Sequence, residues 1–279
     1  MSIRIVADSC CDLPPEIIKS NNIRIVNMEV RFGDRVYQSG EISNAEFYEL
    51  MDSSPVLPST TQPTLEELTR VYSEALSDGS QVLAIHFSSG ISGTFQGGQL
   101  AQKMLGDKRL TVFDSQKASV GCGLMVLEAA RMAQQGLDLQ AILQRLEEMR
   151  DHLQCLFTVS KMEYLIRGGR ISRSKGTLAH VLDIKPILYF DSDGYIMPLD
   201  KARGHKGAMR KLLAIMENQG QDLALQTVGL SHAASPEAAD YLRDAIQTRF
   251  RPRELIIGEI GPVIGAHVGP GTCAIFFES

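Results

Sequence analysis

His86-Phe87-Ser88-Ser89-Gly90-Ile91-Ser92-Gly93-Thr94 decides how this chain is read, because it closes one apolar run and opens an amphipathic one. Gln81 to Phe87 has the composition of a buried strand, and Phe95 to Leu105, stopped by Gly106, that of a helix. The turn between them therefore sits at a helix N-terminus, where free backbone N–H groups and the helix dipole favour an anion. Glycine lets a ligand approach the backbone, and the serine hydroxyls add rotatable donors for a carboxylate or a phosphate. A serine-capped βα turn would use the same residues with no ligand at all. What accompanies the stretch decides between the two.

Upstream, Ile3 to Ala7 is a first strand, followed by Asp8-Ser9-Cys10-Cys11-Asp12 and the helix-opening Pro14-Pro15. Ile23 to Asn27 is a second strand, Met28 to Phe32 and Arg35 to Tyr37 form a hairpin, and Ser43-Asn44-Ala45-Glu46 has the capping-box pattern. Pro55 to Pro63 is too rich in proline for a helix and dense in hydroxyls, so it reads as a loop before the helix opened by Thr64-Leu65-Glu66-Glu67. Downstream, Arg109 to Phe113 is a strand ending in Asp114-Ser115, Ser119 to Gly123 leads into an apolar helix through Ala133, and Asp138 to Arg150 is another helix. Strands and helices alternate through residue 152. That predicts a mainly parallel sheet with helices on both faces and a ligand site beyond the carboxyl ends of its strands.

The second half reads differently. Gln154 to Val159 starts it, and Ile184 to Phe190 with Tyr195 to Leu199 flank Asp191-Ser192-Asp193-Gly194, a hairpin signal that makes this sheet mixed. Leu223 to Leu230 is a strand between helices Ala208 to Gln219 and Pro236 to Arg249. Glu254 to Ile260 and Cys273 to Glu278 are the last strands, joined by a glycine- and proline-rich link from Gly261 to Gly271. The expected architecture is α/β in two domains, residues 1–152 and 153–279.

Composition narrows the function. With 279 residues, 44% hydrophobic and 22% charged, and a net charge of -5, the chain has no field to attract nucleic acid, and the lack of Trp removes stacking platforms. No apolar run reaches membrane-spanning length and the first residues enter a strand rather than a leader, so the expected location is the cytoplasm, without integral membrane association. Five scattered cysteines without Cys-x-x-Cys spacing imply reduced, buried thiols and no metal site.

Several of these islands occur in a specific order: Asp8-Ser9 with Asp12-Leu13-Pro14, Pro58-Ser59-Thr60-Thr61-Gln62-Pro63, Ser88 to Thr94, Asp114-Ser115, Arg167-Gly168-Gly169-Arg170-Ile171-Ser172, Lys185-Pro186-Ile187-Leu188 and His267-Val268-Gly269-Pro270-Gly271. Together they resemble the DegV family of fatty-acid-binding proteins, from the first strand to the last residue. The resemblance implies two α/β domains clasping a long-chain fatty acid, with its carboxylate near the hydroxyl loops and its tail in an apolar tunnel. It carries the headgroup contacts onto Thr60, Ser92 and His267, with Thr61 and Gly93 beside them. It also implies a separate ATP-dependent fatty acid kinase subunit that phosphorylates the bound acid for phospholipid synthesis, so the chain itself is a carrier with neither catalytic residues nor a cofactor. Cys10 stands where the family usually has Thr or Ser, Thr61 where it usually has Ser, and Gly97-Gly98 where bulkier residues are common; these departures bear on tunnel shape.

The physical requirement is independent of the family. A carboxylate beside apolar walls must receive hydrogen bonds to stay charged. His267, framed by glycines, can donate from either nitrogen and carry charge beside an anion. The other histidines, His86, His152, His180, His205 and His232, lie in no comparable motif. Arg170 and Arg203 belong to cation-rich stretches expected to be exposed, and their match to family positions implies that they face the phosphate and the partner rather than the lipid. The rival is a serine hydrolase using Ser92 and His267 on a lipid or acyl ester. Gly90-Ile91-Ser92-Gly93 partly fits a nucleophile elbow, but Thr94 stands where that motif needs glycine. Phosphate-loop fingerprints are absent.

Overall fold

Period-two alternation along β1 (Ile3–Asp8) sets the first layers. Ile5 and Ala7 face one way with Leu83 and Ile85 of β6 (Gln81–His86), while Val6 faces the other way with Val82 and Ala84. β1 pairs in parallel with β2 (Arg24–Val26) and β6, and β6 with β7 (Leu110–Asp114), giving the order β2-β1-β6-β7. The chain is described here by a computed structural model covering residues 2–171 and 183–279; Ser172 and His180 lie outside the described residues. Helices α3 (Leu65–Leu76) and α4 (Thr94–Leu105) cover the Val6 side. Helix α5 (Val120–Gln134), backed by α6 (Leu139–His152), covers the Ile5 side.

The second sheet has the order β10-β9-β8-β13-β11-β12 and is mixed, with only β11 (Thr227–His232) and β12 (Glu254–Glu259) parallel. Its other strands are β8 (Leu153–Thr158), β9 (Ile184–Phe190), β10 (Ile196–Arg203) and β13 (Cys273–Glu278). Alternation again sorts the faces. Cys155, Phe157, Ala274 and Phe276 look toward α5, whereas Leu156, Val228, Leu230, Ile275 and Phe277 pack under α8 (Gly204–Gln219) and α9 (Pro236–Arg249). The layers thus run α3/α4, parallel sheet, α5/α6, mixed sheet, α8/α9. One apolar cluster crosses from half to half through α5.

Four local expectations are corrected. Ser59–Thr61 is not a loop but β5, which joins β3 (Glu29–Phe32) and β4 (Arg35–Gln38) in a small antiparallel sheet, because extended backbone after Pro58 can pair with β3. The link from Gly261 to Gly271 contains α10 (Pro262–Val268), opened by a proline in its first turn, where the missing N–H is not needed. Helix α8 starts at Gly204 rather than Ala208. Asp222 is left-handed, φ 45°, and Leu223–Leu225 forms a 3-10 turn, so β11 starts only at Thr227.

Candidate functional site

A cavity of about 270 Å³ lies between the two sheets. Phe87, Ile91 and Ala118 of the first half and Phe157, Leu165, Phe190 and Phe276 of the second make most of its wall apolar. Polar side chains gather where β5, the start of α4, the end of α10 and the segment after α7 (Glu163–Arg167) meet: Thr60, Gln62, Ser92, Arg170 and His267 all line it.

Strand alternation separates the two threonines. The Thr60 hydroxyl lies 2.8 Å from His267 Nε2, while that of Thr61 turns to the other face and donates to Glu29 Oε2 at 3.0 Å. Thr61 is therefore outside the cavity lining, in contrast to its expected place beside the headgroup. Gly93 caps α4, and a side chain there would overlap the Gln62 amide. Ser92 Oγ accepts from the Thr94 N–H at 3.2 Å and lies 2.9 Å from Thr94 Oγ1. Thr60, Ser92, Gly93 and His267 all line the one cavity.

Arg170 is not exposed. It lines the same cavity half-buried, its Nε donating to Ile91 O at 3.1 Å and Nη1 to Gly168 O at 2.6 Å. Gly168 and Gly169 end α7 and let the chain fold back under His267; a Cβ on Gly168 would overlap Nδ1 of that ring. No carboxylate among the described residues pairs with Arg170, and burial lowers its pKa. His267 Nδ1 is buried without a hydrogen-bond partner among the described residues. Burial, then the Arg170 charge, pushes the His267 pKa down to about 4, which leaves the ring neutral and Arg170 as the source of positive charge. Arg203, the residue before α8, is exposed and does not line the cavity.

The remaining hydroxyls of the opening motif hold structure. Ser88 is buried and donates to Gly194 O at 2.7 Å, tying the β9–β10 turn to the first half, and the Ser89 N–H goes to Asp114 Oδ1. His86 is also buried: Nδ1 meets Asp8 Oδ2 at 3.0 Å and Nε2 the Tyr72 hydroxyl at 2.5 Å. Asp8 further accepts the N–H groups of Cys10 and Phe87. Gly98 faces this chain, where a Cβ would lie 2.8 Å from the Tyr72 hydroxyl, and Gly97 faces Leu68. Gly98 therefore makes room for Tyr72 and His86 and Gly97 for Leu68, and neither glycine lines the cavity. All five cysteines are buried free thiols; only Cys155 lines the cavity.

A hydrolase site is not assembled. Ser92 Oγ is engaged with Thr94, His267 Nε2 with Thr60, and no carboxylate stands behind His267 Nδ1 among the described residues. A nucleophile, its base and an orienting acid must be hydrogen-bonded in series.

A family profile described as an uncharacterised protein of the DegV family matches residues 2–279. The chain belongs to the DegV family. A DegV domain-containing protein of Caldanaerobacter subterraneus is 34% identical over 99% of this chain and 98% of its own. Among solved structures, a DegV family protein of Thermus thermophilus, described by its fatty acid binding, is 32% identical with a TM-score of 0.93 over 100% of both chains. DegV of Bacillus subtilis, described as a fatty acid binding protein, is 30% identical with a TM-score of 0.90, covering 99% of this chain and 98% of that one. The DegV architecture is thus this chain's own, and none of its described helices is long and apolar enough to cross a membrane.

Proposed function

We propose that this protein binds one long-chain fatty acid between residues 1–152 and 153–279 and presents its carboxyl group at the polar end of the cavity. The observation that carries this reading is the buried, unpartnered Nδ1 of His267 beside a half-buried Arg170 with no described carboxylate to balance it. An anion placed among Thr60, Ser92, Gly93, His267 and Arg170 would meet both needs at once. Fatty acid binding by the Thermus thermophilus and Bacillus subtilis proteins supports the choice of anion. The apolar wall supports a long tail. Burying about fifteen methylenes contributes on the order of 12 kcal/mol before association costs, whereas one hydrogen bond to a charged group contributes about 1.5 to 3. The tail therefore sets affinity and the polar end sets orientation.

The bound acid is presented, in the cytoplasm, to a separate ATP-dependent fatty acid kinase, and the acyl phosphate then feeds phospholipid synthesis. Arg203, exposed at the start of α8, fits the partner-facing role, since guanidinium suits phosphate or an acidic partner. Arg170 fits a position at the carboxyl group, where phosphate would be transferred. Organic extraction of purified protein followed by mass spectrometry tests the binding claim. Near one acid per chain is expected, and none after incubation with a mixture of long-chain acids would overturn it. Arg203→Ala is expected to keep full lipid content and lose acyl-phosphate formation with kinase and ATP.

A further inference from the structure

One residue marks the mouth of the cavity. Among the described residues that line it, Gln62 alone is exposed, and every other wall residue is buried or half-buried. The mouth is at the polar end, because strand alternation puts Gln62 on the same face as Thr60, with Thr61 on the other. Two residues of extended chain carry it about 7 Å beyond Thr60. Pro63, which follows, favours extended backbone at Gln62 itself. The Gln62 amide rests on Gly93, where an added Cβ would overlap Oε1 and lie 3.8 Å from Nε2.

The same side chain lines a polar groove outside the cavity, together with Glu29, Gln38 and Glu67. Gln62 therefore stands on the boundary between the headgroup end and the exterior. The carboxylates of the groove are already engaged: Glu29 accepts from Thr61 and Gln38, and Glu67 from Arg70. No hydrogen bond of the Gln62 side chain is found among the described residues. Its amide thus brings two uncommitted N–H donors to the mouth, held in place by packing on Gly93.

The transfer proposed for the bound acid determines which atoms arrive there. A carboxylate oxygen bonds to the γ-phosphorus of ATP, the bond from that phosphorus to the ADP oxygen breaks, and ADP leaves. The nucleotide comes from outside, so the added phosphoryl group stands on the solvent side of the carboxyl group. Its oxygens call for N–H donors, and the charges of Glu29 and Glu67 keep it out of the groove itself.

We infer that Gln62 receives the phosphoryl group of the acyl phosphate, its amide donating to a phosphoryl oxygen at the mouth while Thr60, Ser92, His267 and Arg170 hold the carboxyl group behind it. This rests on the fatty-acid reading of the cavity and on transfer from ATP, and deepens both. Gln62 separates product from substrate, since the free acid ends at the inner residues. A neutral donor binds phosphate less firmly than a cationic one, so the product is favoured without being retained.

The test is a displacement titration with palmitate and with the phosphonate analogue of palmitoyl phosphate, in which a methylene replaces the bridging oxygen. It is run on wild-type protein, Gln62→Met and Gln62→Ala. Wild-type protein is expected to bind both ligands. Gln62→Met keeps a side chain of similar length over Gly93 without its donors, and is expected to weaken the phosphonate about tenfold and palmitate by no more than about twofold. Gln62→Ala is expected to give the same ordering and decides alone should the Met variant fail to fold; palmitate binding reports a folded protein in each case. Equal losses for the two ligands, or an undiminished phosphonate affinity, would overturn the role of Gln62 and leave the fatty-acid reading standing. Wild-type protein that binds palmitate but not the phosphonate would do the same. Wild-type protein that binds neither would overturn both.

Discussion

Two buried histidines of this protein, His86 and His267, differ in how completely their surroundings use them. His86 has Asp8 on one nitrogen and Tyr72 on the other, and Asp8 in turn takes two backbone N–H groups. The chain joins β1, β6 and α3 on the α3/α4 side of the parallel sheet, and none of its three residues lines the cavity between the sheets. His267 has Thr60 on Nε2 and no described partner on Nδ1, next to a guanidinium held only by backbone carbonyls among the described residues. Complete partnering pins the fold; incomplete partnering at a cavity wall leaves capacity for a ligand. The same contrast divides the opening serine motif, where Ser88 is consumed by the β9–β10 turn and Ser92 reaches the cavity.

The largest effect that can break this contrast is on stability. His86→Ala leaves Asp8 buried without one of its donors, and a loss of about 3 kcal/mol is expected in denaturant unfolding. Fatty-acid affinity of the folded fraction is expected to stay at the wild-type value, and a large loss of affinity at wild-type stability would invert the two roles. Arg170→Ala should act the other way, with unfolding little changed and acid affinity lower by about 2 kcal/mol, roughly thirtyfold, in a displacement titration. Ser92→Ala removes one neutral donor from the same end, so about 1.5 kcal/mol, near tenfold, is expected; wild-type affinity would make Ser92 only the partner of Thr94. Thr61→Val is the smallest. Its hydroxyl serves Glu29 on the outer face, and calorimetric titration with palmitate should show less than about twofold change.

Much of the frame was legible because it depends on local pattern. Gln81–His86, Thr94–Leu105 and the Gly106 stop follow from apolar periodicity and a left-handed glycine, φ 62°. The elements that complete the site depend on distant neighbours. Ser59–Thr61 extends because β3 offers it an edge. Helix α10 carries Gly265 because a side chain there would meet the Tyr48 hydroxyl at 2.6 Å, a contact no local rule reveals. Arg170 had the signal of an exposed basic stretch, and the Gly168-Gly169 break that turns it inward is visible in sequence without its direction. Gln62 lay inside the Pro58 to Pro63 cluster, but only its packing on Gly93 distinguishes it from its neighbours.

The ring nitrogens of His267 test the account most directly, through nitrogen NMR titrations with and without one equivalent of palmitate. Without the acid, a folded-state pKa near 4, below the ordinary value near 6.5, means the neutral ring is favoured by folding. That contribution to stability is present above about 6.5 and is lost as pH falls toward about 4. A carboxylate beside the ring favours its charged form, so palmitate should raise the His267 pKa and shift its Nδ1 resonance while leaving those of His86 in place. Palmitate bound with His267 unmoved, or with His86 moved instead, would contradict the account.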